Sequence, residues 1–354
     1  MWVSYRSKEV PTVKTTSLCK HGLIVLVAAS LTLPAIAWAA QPEDNRGFLD
    51  NPPVFIDNEP DVPLTLMGAA IPSPGEIIPG YDSITESSTE FRRNGVNVQP
   101  GLAARFDARR ISALGGISPG WGAAITIPWQ HTRVTGNMQG LPTTADLTAI
   151  GDLAVFGKKR VWRSLDDKSS IAITGGLGFP TGNANAHFDQ SNAATNGYFH
   201  GEPRRLPLSW QPGGGAVGGY IAGAYQRRGG RLSYTGILAA KLHTSDGEDA
   251  TIGNIFVAAA SGTYGIARPV AVSLSMILRS QANDSYPQSP PPGVDGPLLQ
   301  GTTNHGTSLA LVPSLRFLVA GRIVIGVGVR IPAINPDDGF VNGTRGFLII
   351  YPNP

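Results

Sequence analysis

Between Arg322 and Ile331 the sequence alternates without a break. Ile323, Ile325, Val327, Val329 and Ile331 fall on one side, and Arg322, Val324, Gly326, Gly328 and Arg330 on the other. A period of two sends successive side chains to opposite faces of a β-strand. The pattern recurs in residues 170–179, where Ile171, Ile173, Leu177 and Phe179 oppose Ala172, Thr174, Gly176 and Gly178. It recurs again in 270–279 and in 231–243, where Leu232, Tyr234, Leu238 and Leu242 oppose Arg231, Ser233, Thr235, Lys241 and His243.

What occupies the second face decides between two all-β architectures. A soluble β-sandwich presents Lys, Glu and Thr to water. Here the second face carries Gly, Ala, Ser and an occasional Arg, while the first is branched and apolar. Small, weakly polar residues suit the lumen of a transmembrane barrel, and the apolar face suits lipid. The charge content agrees: 15% of residues are charged, against about a quarter in soluble domains.

The connections have a rhythm. Short ones fall near 117–120, 163–168, 227–230, 265–268 and 319–321; long ones near 132–149, 181–212, 244–250, 282–304 and 334–345. Alternation of short and long is the mark of barrels with short periplasmic turns and longer external loops. Eleven strands are visible from about residue 102 to 351, the first and the last both descending toward the short turns. An ascending strand must precede residue 102, which makes about twelve, an even number. Its expected place is within 62–95, with Val62–Ala70 as the chosen segment. The predicted fold is an antiparallel transmembrane β-barrel spanning 96–354, after a Pro/Asn-rich leader at 41–95.

Residues 1–40 read as an address. Lys14 and Lys20 precede an apolar run from Gly22, Pro34 breaks it, and Ala37-Trp38-Ala39 supplies a small-residue cleavage site, the features of a cleaved secretory signal peptide; a retained membrane anchor is the rival reading. Losing Arg6, Lys8, Lys14, Lys20 and Glu9 reduces 28 basic and 25 acidic residues to 24 of each. The basic excess belongs to the signal, and no nucleic-acid footprint remains. The single cysteine, Cys19, lies in the same segment, which excludes a disulfide scaffold and a Cys-based zinc site in the mature chain.

Two middle segments carry a family resemblance. Ile150-Gly151-Asp152-Leu153-Ala154-Val155-Phe156-Gly157-Lys158-Lys159-Arg160 leads through a short acidic turn to a strand ending Phe179-Pro180-Thr181-Gly182. This order, about thirty residues from Gly-Asp-Leu to Pro-Thr-Gly, resembles the outer-membrane transporters grouped as the meta-pathway phenol-degradation family. The likeness runs from about residue 100 to the C-terminus. It implies a barrel of the Gram-negative outer membrane and passage of small, often aromatic or hydrophobic compounds. Two departures are visible: the family's Lys-Tyr-Arg reads Lys158-Lys159-Arg160, and the chain ends in Tyr351-Pro-Asn-Pro354 rather than in an aromatic residue.

Candidate chemistry is sparse. Gly116-Ile117-Ser118-Pro119-Gly120 matches G-x-S-x-G, yet a strand rather than a helix follows, so it reads as a turn. Gly213–Gly218 fits G-x-G-x-x-G without a helix to follow, and its glycines suit close backbone packing in a strand. His187 and His200 share one loop without ligand spacing. Asp152 and Lys158 are expected either to line the barrel or to satisfy one another. The candidate lumen-lining residues are Arg231, Lys241, Arg279, Arg316, Arg322 and Arg330; either loop carboxylates fold inward and neutralise them, or they form a cationic constriction that attracts carboxylates and aromatic faces. The expected function is a channel or uptake porin for passive passage of small, hydrophobic or aromatic solutes, embedded in outer-membrane lipid and without a cofactor. The alternative is a closed barrel with a structural or loop-mediated binding role. An outer-membrane lipid hydrolase is disfavoured because no Ser/His pair has supporting context, so no enzyme is expected.

Overall fold

The structure, a computed structural model, describes residues 69–88, 91–93, 96–98, 102–138, 141–183, 198–199, 202–203, 212–244, 253–267, 269–283, 306–335, 339–340 and 344–352. The expected signal peptide, His187 and His200 lie outside them.

Twelve strands make the barrel. They are β1 (Ile77–Ser88), β2 (Leu102–Ser118), β3 (Trp121–Met138), β4 (Leu141–Ile150 continued by Leu153–Arg163), β5 (Ser169–Phe179) and β6 (Gly218–Gly229). The circuit continues with β7 (Leu232–His243), β8 (Ile255–Ala267), β9 (Val270–Gln281), β10 (Gly306–Val319), β11 (Ile323–Ile334) and β12 (Arg345–Pro352). Every pairing is antiparallel between chain neighbours, and β1 closes the circle by pairing with β2 (Asp82↔Arg110) and β12 (Tyr81↔Ile350). A closed sheet leaves no unpaired edge, which is what hydrocarbon requires of a spanning structure.

The two parts of β4 count as one strand because both pair with β3, at Trp129↔Ile150 and at Thr126↔Ala154. Between them Pro128 has no N–H to give to the ladder. The chain steps aside at Gly151 and Asp152, and the Gly151 N–H is donated to the Pro128 carbonyl at 2.9 Å.

Alternation fixes which way each strand faces. On β5, Ile171, Ile173, Leu177 and Phe179 are exposed outward, while Ala172 and Thr174 are buried inward. On β11, Ile323, Val327, Val329 and Ile331 are exposed, and Val324 and Arg330 are buried. On β3 the outward band is bounded by Trp121 at the turn end and by Trp129, whose ring lies 6.4 Å from that of Tyr81. Eight residues at roughly 3.4 Å each, tilted by about 40°, span about 20 Å of height. Beyond Trp129 the outward positions turn polar: Asp146 accepts from His131 and Arg133, and Arg105 donates to Asp107.

Two sequence expectations are corrected. The first strand is Ile77–Ser88, whereas Ala69 and Ala70 are not in a strand and residues 62–68 lie outside the described part. The stretch 132–149 is not a loop: it is the outer arm of the β3–β4 hairpin, in continuous register from Trp129↔Ile150 to Met138↔Leu141. Both arms extend past the apolar band, where nothing rewards an outward hydrophobic residue.

The chain before β1 folds back inside the short-turn mouth. Gly75 N–H is donated to Gly116 O, and Gly116 N–H to Glu76 O, both at 2.9 Å. A Cβ on the inward Gly116 would strike the Ser73 carbonyl, and one on Gly122 would touch Ile71 Cγ2 at 3.4 Å. Ala69 joins the same inner apolar cluster as Ala172, Ile237, Val312 and Tyr351.

Candidate functional site

The inner wall is built from small residues that make room for a few large ones. Phe156 on β4 lies over Gly176 on β5, and Phe347 on β12 lies over Gly328 on β11; any side chain on either glycine would collide with the neighbouring ring. Covering an inward glycine with a cross-strand aromatic ring recovers packing that the glycine cannot supply.

Polar groups occupy two patches of this wall. On β8 and β9 the hydroxyls of Thr263 and Ser273 lie 2.8 Å apart, and Ser275 donates to Ser261 at 2.8 Å. Arg316 reaches them from β10, one Nη donating to Thr263 Oγ1 at 2.9 Å and to Ser273 Oγ at 3.1 Å. A register row then runs inward-facing from Arg316 through Gly326, Ile349 and Asp82 to Arg110. It ends in a buried ion pair, Arg110 Nε to Asp82 Oδ1 at 2.6 Å. Arg330 and Arg345 face one another across β11 and β12, both buried.

The balance of buried charge is cationic. Among the described residues Arg110, Lys158, Arg316, Arg330 and Arg345 are buried against the carboxylates of Asp82 and Asp152. Asp152 is held by backbone: its Oδ1 accepts Gly182 N–H at 3.0 Å and its Oδ2 accepts Gly214 N–H at 2.8 Å. Thr181 completes a clasp, accepting Leu153 N–H at 2.9 Å and donating to the Gly151 carbonyl at 3.2 Å. Gly151, Gly182 and Gly213 crowd this clasp so closely that a Cβ on any of them would meet backbone within 2.9 Å. The clasp ties together the break in β4, the end of β5 and the approach to β6.

The expected lumen residues separate accordingly. Arg316 and Arg330 are buried on the inner face; Arg279 on β9 and Lys241 on β7 are half-buried on it. Arg231 is half-buried in the turn before β7. Arg322 is exposed in the turn between β10 and β11, ahead of the first strand residue Ile323, so the structure does not place it on the wall. Its N–H is donated to Val319 O at 3.0 Å, closing that turn. Asp152 and Lys158 do not satisfy one another: six residues of roughly 3.3 Å each separate them, and Lys158 Nζ has no hydrogen bond among the described residues. The Pro119-Gly120 turn joins β2 to β3, with Gly120 at φ +77°. Gly213 lies before β6 rather than in a strand, although the expected close packing is there.

Sequence reasoning missed Arg110, Arg345 and Asp82. Arg110 sits beside Arg109, and only strand parity tells which of the two faces inward. Arg345 falls at the end of the long connection expected at 334–345, and Asp82 lies in the first strand, which forms at Ile77–Ser88 rather than at the expected Val62–Ala70.

Twelve antiparallel strands, closed on themselves, apolar outside and small, polar and cationic inside, define a transmembrane β-barrel of the outer-membrane class. The family model described as MetA-pathway of phenol degradation matches residues 93–331. The chain belongs to that family of outer-membrane barrels. In fold it is similar to an outer membrane channel from Pseudomonas putida F1, at a TM-score of 0.60 and 12% identity, covering 80% of this chain and 97% of that one. It is also similar to the transport unit of the autotransporter AIDA-I from Escherichia coli (TM-score 0.46, 8% identity, 87% and 96% covered). A third is the translocator domain of the autotransporter NalP from Neisseria meningitidis (TM-score 0.40, 10% identity, 78% and 88% covered). No curated protein sequence matches the chain.

Proposed function

We propose that the barrel is a passive outer-membrane channel for small solutes with a hydrophobic or aromatic body, favouring those that carry negative charge. The observation that carries this reading is the inner wall, where five buried cations face two carboxylates among the described residues. Cations fixed in a low-dielectric wall raise the local concentration of anions and attract π-faces. The family's association with phenol degradation supports an aromatic cargo. Planar-bilayer conductance in a salt gradient tests it: the reversal potential should report anion preference, and a clear cation preference overturns it. The reading includes export by a signal removed at Ala37-Trp38-Ala39, which N-terminal sequencing of the membrane-extracted protein checks.

A second reading is a closed barrel with a structural or binding role. One observation favours it, the packing of Ile71 and Ser73 against the inward Gly116 and Gly122 at the short-turn mouth. Liposome swelling separates the two, since a closed barrel passes no solute. Neither reading needs catalysis, and a hydrolase would require phospholipid cleavage abolished by a single Ser→Ala change.

A further inference from the structure

We propose that the outward face of β1 to β5 holds a discrete site for one phosphorylated glycolipid of the outer leaflet, of the lipid A type. Its phosphate meets Arg109 and Arg133, and one acyl chain lies in a groove below them. The site belongs to the outer wall and holds whether or not the lumen conducts.

The polar half begins at the edge of the apolar band. Three outward register rows cross the strands there: Ser83, Arg109 and Trp129; Thr85, Asp107, His131 and Thr148; Ser87, Arg105, Arg133 and Asp146. Asp146 accepts Arg133 Nε at 2.8 Å and lies 2.7 Å from His131 Nε2. Asp107 accepts Arg105 Nε at 3.0 Å and lies 3.8 Å from His131 Nδ1. These side chains form one connected surface, with three guanidinium groups against two carboxylates. The cation in excess is Arg109, which is exposed and makes no hydrogen bond or ion pair among the described residues. It shares its row with Trp129, at the level where hydrocarbon gives way to headgroups and a lipid carries its phosphate. Guanidinium forks match phosphate oxygens in pairs, and the hydroxyls of Ser83, Thr85 and Ser87 suit a sugar.

The apolar half lies on the same strands, nearer the short turns. An open cavity of about 690 Å³ faces the lipid side there, against about 30 Å³ for the share of one water. One register row forms its floor: Gly115 on β2, Ala123 on β3, Gly157 on β4 and Gly175 on β5. Exposed Ile77 ends the row and exposed Leu177 stands beside it. A Cβ on Gly157 would meet nothing within 4 Å. Along β2, Ala113 and Gly115 lie about 10 and 16 Å deeper than Arg109, at roughly 3.4 Å per residue and a tilt of about 40°. An acyl chain reaches that depth, since each leaflet fills about half of a core about 30 Å thick.

Positive charge at the edge of the band and a void beneath it select a lipid with an anionic head. A zwitterionic phospholipid brings its own cation to the phosphate and has no sugar for the hydroxyl rows. A soluble phosphate leaves the groove empty.

The test is native mass spectrometry of the full-length protein in detergent, with bisphosphoryl lipid A, its dephosphorylated form and phosphatidylethanolamine as probes. One bisphosphoryl lipid A should be retained per chain, about tenfold more tightly than either of the others, the difference that one charge-assisted hydrogen bond makes. Arg109→Gln should weaken its retention by about the same factor. That change breaks no bond within the chain, so it reads the site even where Arg133→Gln, which strips Asp146 of a partner, fails to fold. Gly157→Leu fills the groove from the lipid side and should weaken lipid A severalfold while leaving the preference for phosphate intact. Lys168→Met, in an exposed turn at the opposite end, should change nothing. Equal retention of bisphosphoryl lipid A and phosphatidylethanolamine, or retention that Arg109→Gln leaves unchanged, overturns the site. Retention that Gly157→Leu leaves unchanged overturns the acyl groove.

Discussion

The carboxylate of Asp152 accepts the backbone N–H of Gly182 from thirty residues away in sequence, at 3.0 Å, and its second oxygen takes Gly214 N–H at 2.8 Å. Hydrogen bonds to a charged acceptor contribute about 1.5–3 kcal/mol each. Asp152→Asn keeps the volume but removes the charge and one acceptor oxygen. It should cost about 1–3 kcal/mol and speed amide exchange at Gly182 and Gly214, leaving distant β9 amides unchanged. Uniform acceleration across the barrel would show instead that the clasp is one part of a single cooperative unit.

The rings over glycines give a second test. Gly176→Ala and Gly328→Ala each place a methyl group into the ring of Phe156 or Phe347. Overpacking of this kind costs about 1–3 kcal/mol. Gly223→Ala, on the lipid face with open space around it, should stay within about 0.5 kcal/mol of the parent. Unfolding midpoints in detergent, compared pairwise, check this.

How much of this was readable in the sequence depends on whether a residue obeys the two-residue period. Ile323 to Ile331 does, and its facing is the one observed. The first strand does not: its outward positions are Ile77, Pro79, Tyr81, Ser83 and Thr85, which carry too little hydrophobicity to mark a strand. The outer arms of β3 and β4 escaped for a related reason, since His131, Arg133 and Asp146 face outward above the apolar band. Arg322 fits the parity but lies beyond the strand, where Ala320 and Gly321 take positive φ of 51° and 68° to turn the chain. The clasp shows a different limit. Gly-Asp-Leu and Pro-Thr-Gly stood out as a motif, yet a side chain that accepts backbone N–H groups from two distant segments has no period to reveal it.

The buried pair of Asp82 and Arg110 predicts an asymmetry. Asp82→Asn leaves the Arg110 charge in a dry wall without its carboxylate, and removing one partner of such a pair costs about 3–5 kcal/mol. Replacing both, Asp82→Leu with Arg110→Met, removes the desolvation burden together with the attraction and should cost less than the single change. A double variant less stable than Asp82→Asn in thermal unfolding would mean that the pair holds more than itself together.

Selectivity should follow the wall and not the turn. Arg316 is buried beside the Thr263 and Ser273 hydroxyls, so Arg316→Gln should move the reversal potential toward zero. Arg322 is exposed outside the wall, so Arg322→Gln should leave it where it was. The opposite order would return Arg322 to the conduction path and remove Arg316 from it.

The outward face makes the most direct claim about surroundings, because lipid and water reward different residues. Leu274 lies in the middle of β9 and is 58% exposed; Ile323 opens β11 at the turn end and is 44% exposed. In water the two positions would accept arginine about equally. In a bilayer the cost depends on depth, about 2–4 kcal/mol for arginine at the midplane and about 0–1 near the interface. Leu274→Arg should therefore destabilise folding into lipid vesicles by at least 1 kcal/mol more than Ile323→Arg, an interval set by those two ranges. Folding titrations in urea with vesicles present measure the difference. Equal costs at the two sites would mean that the apolar band does not meet hydrocarbon.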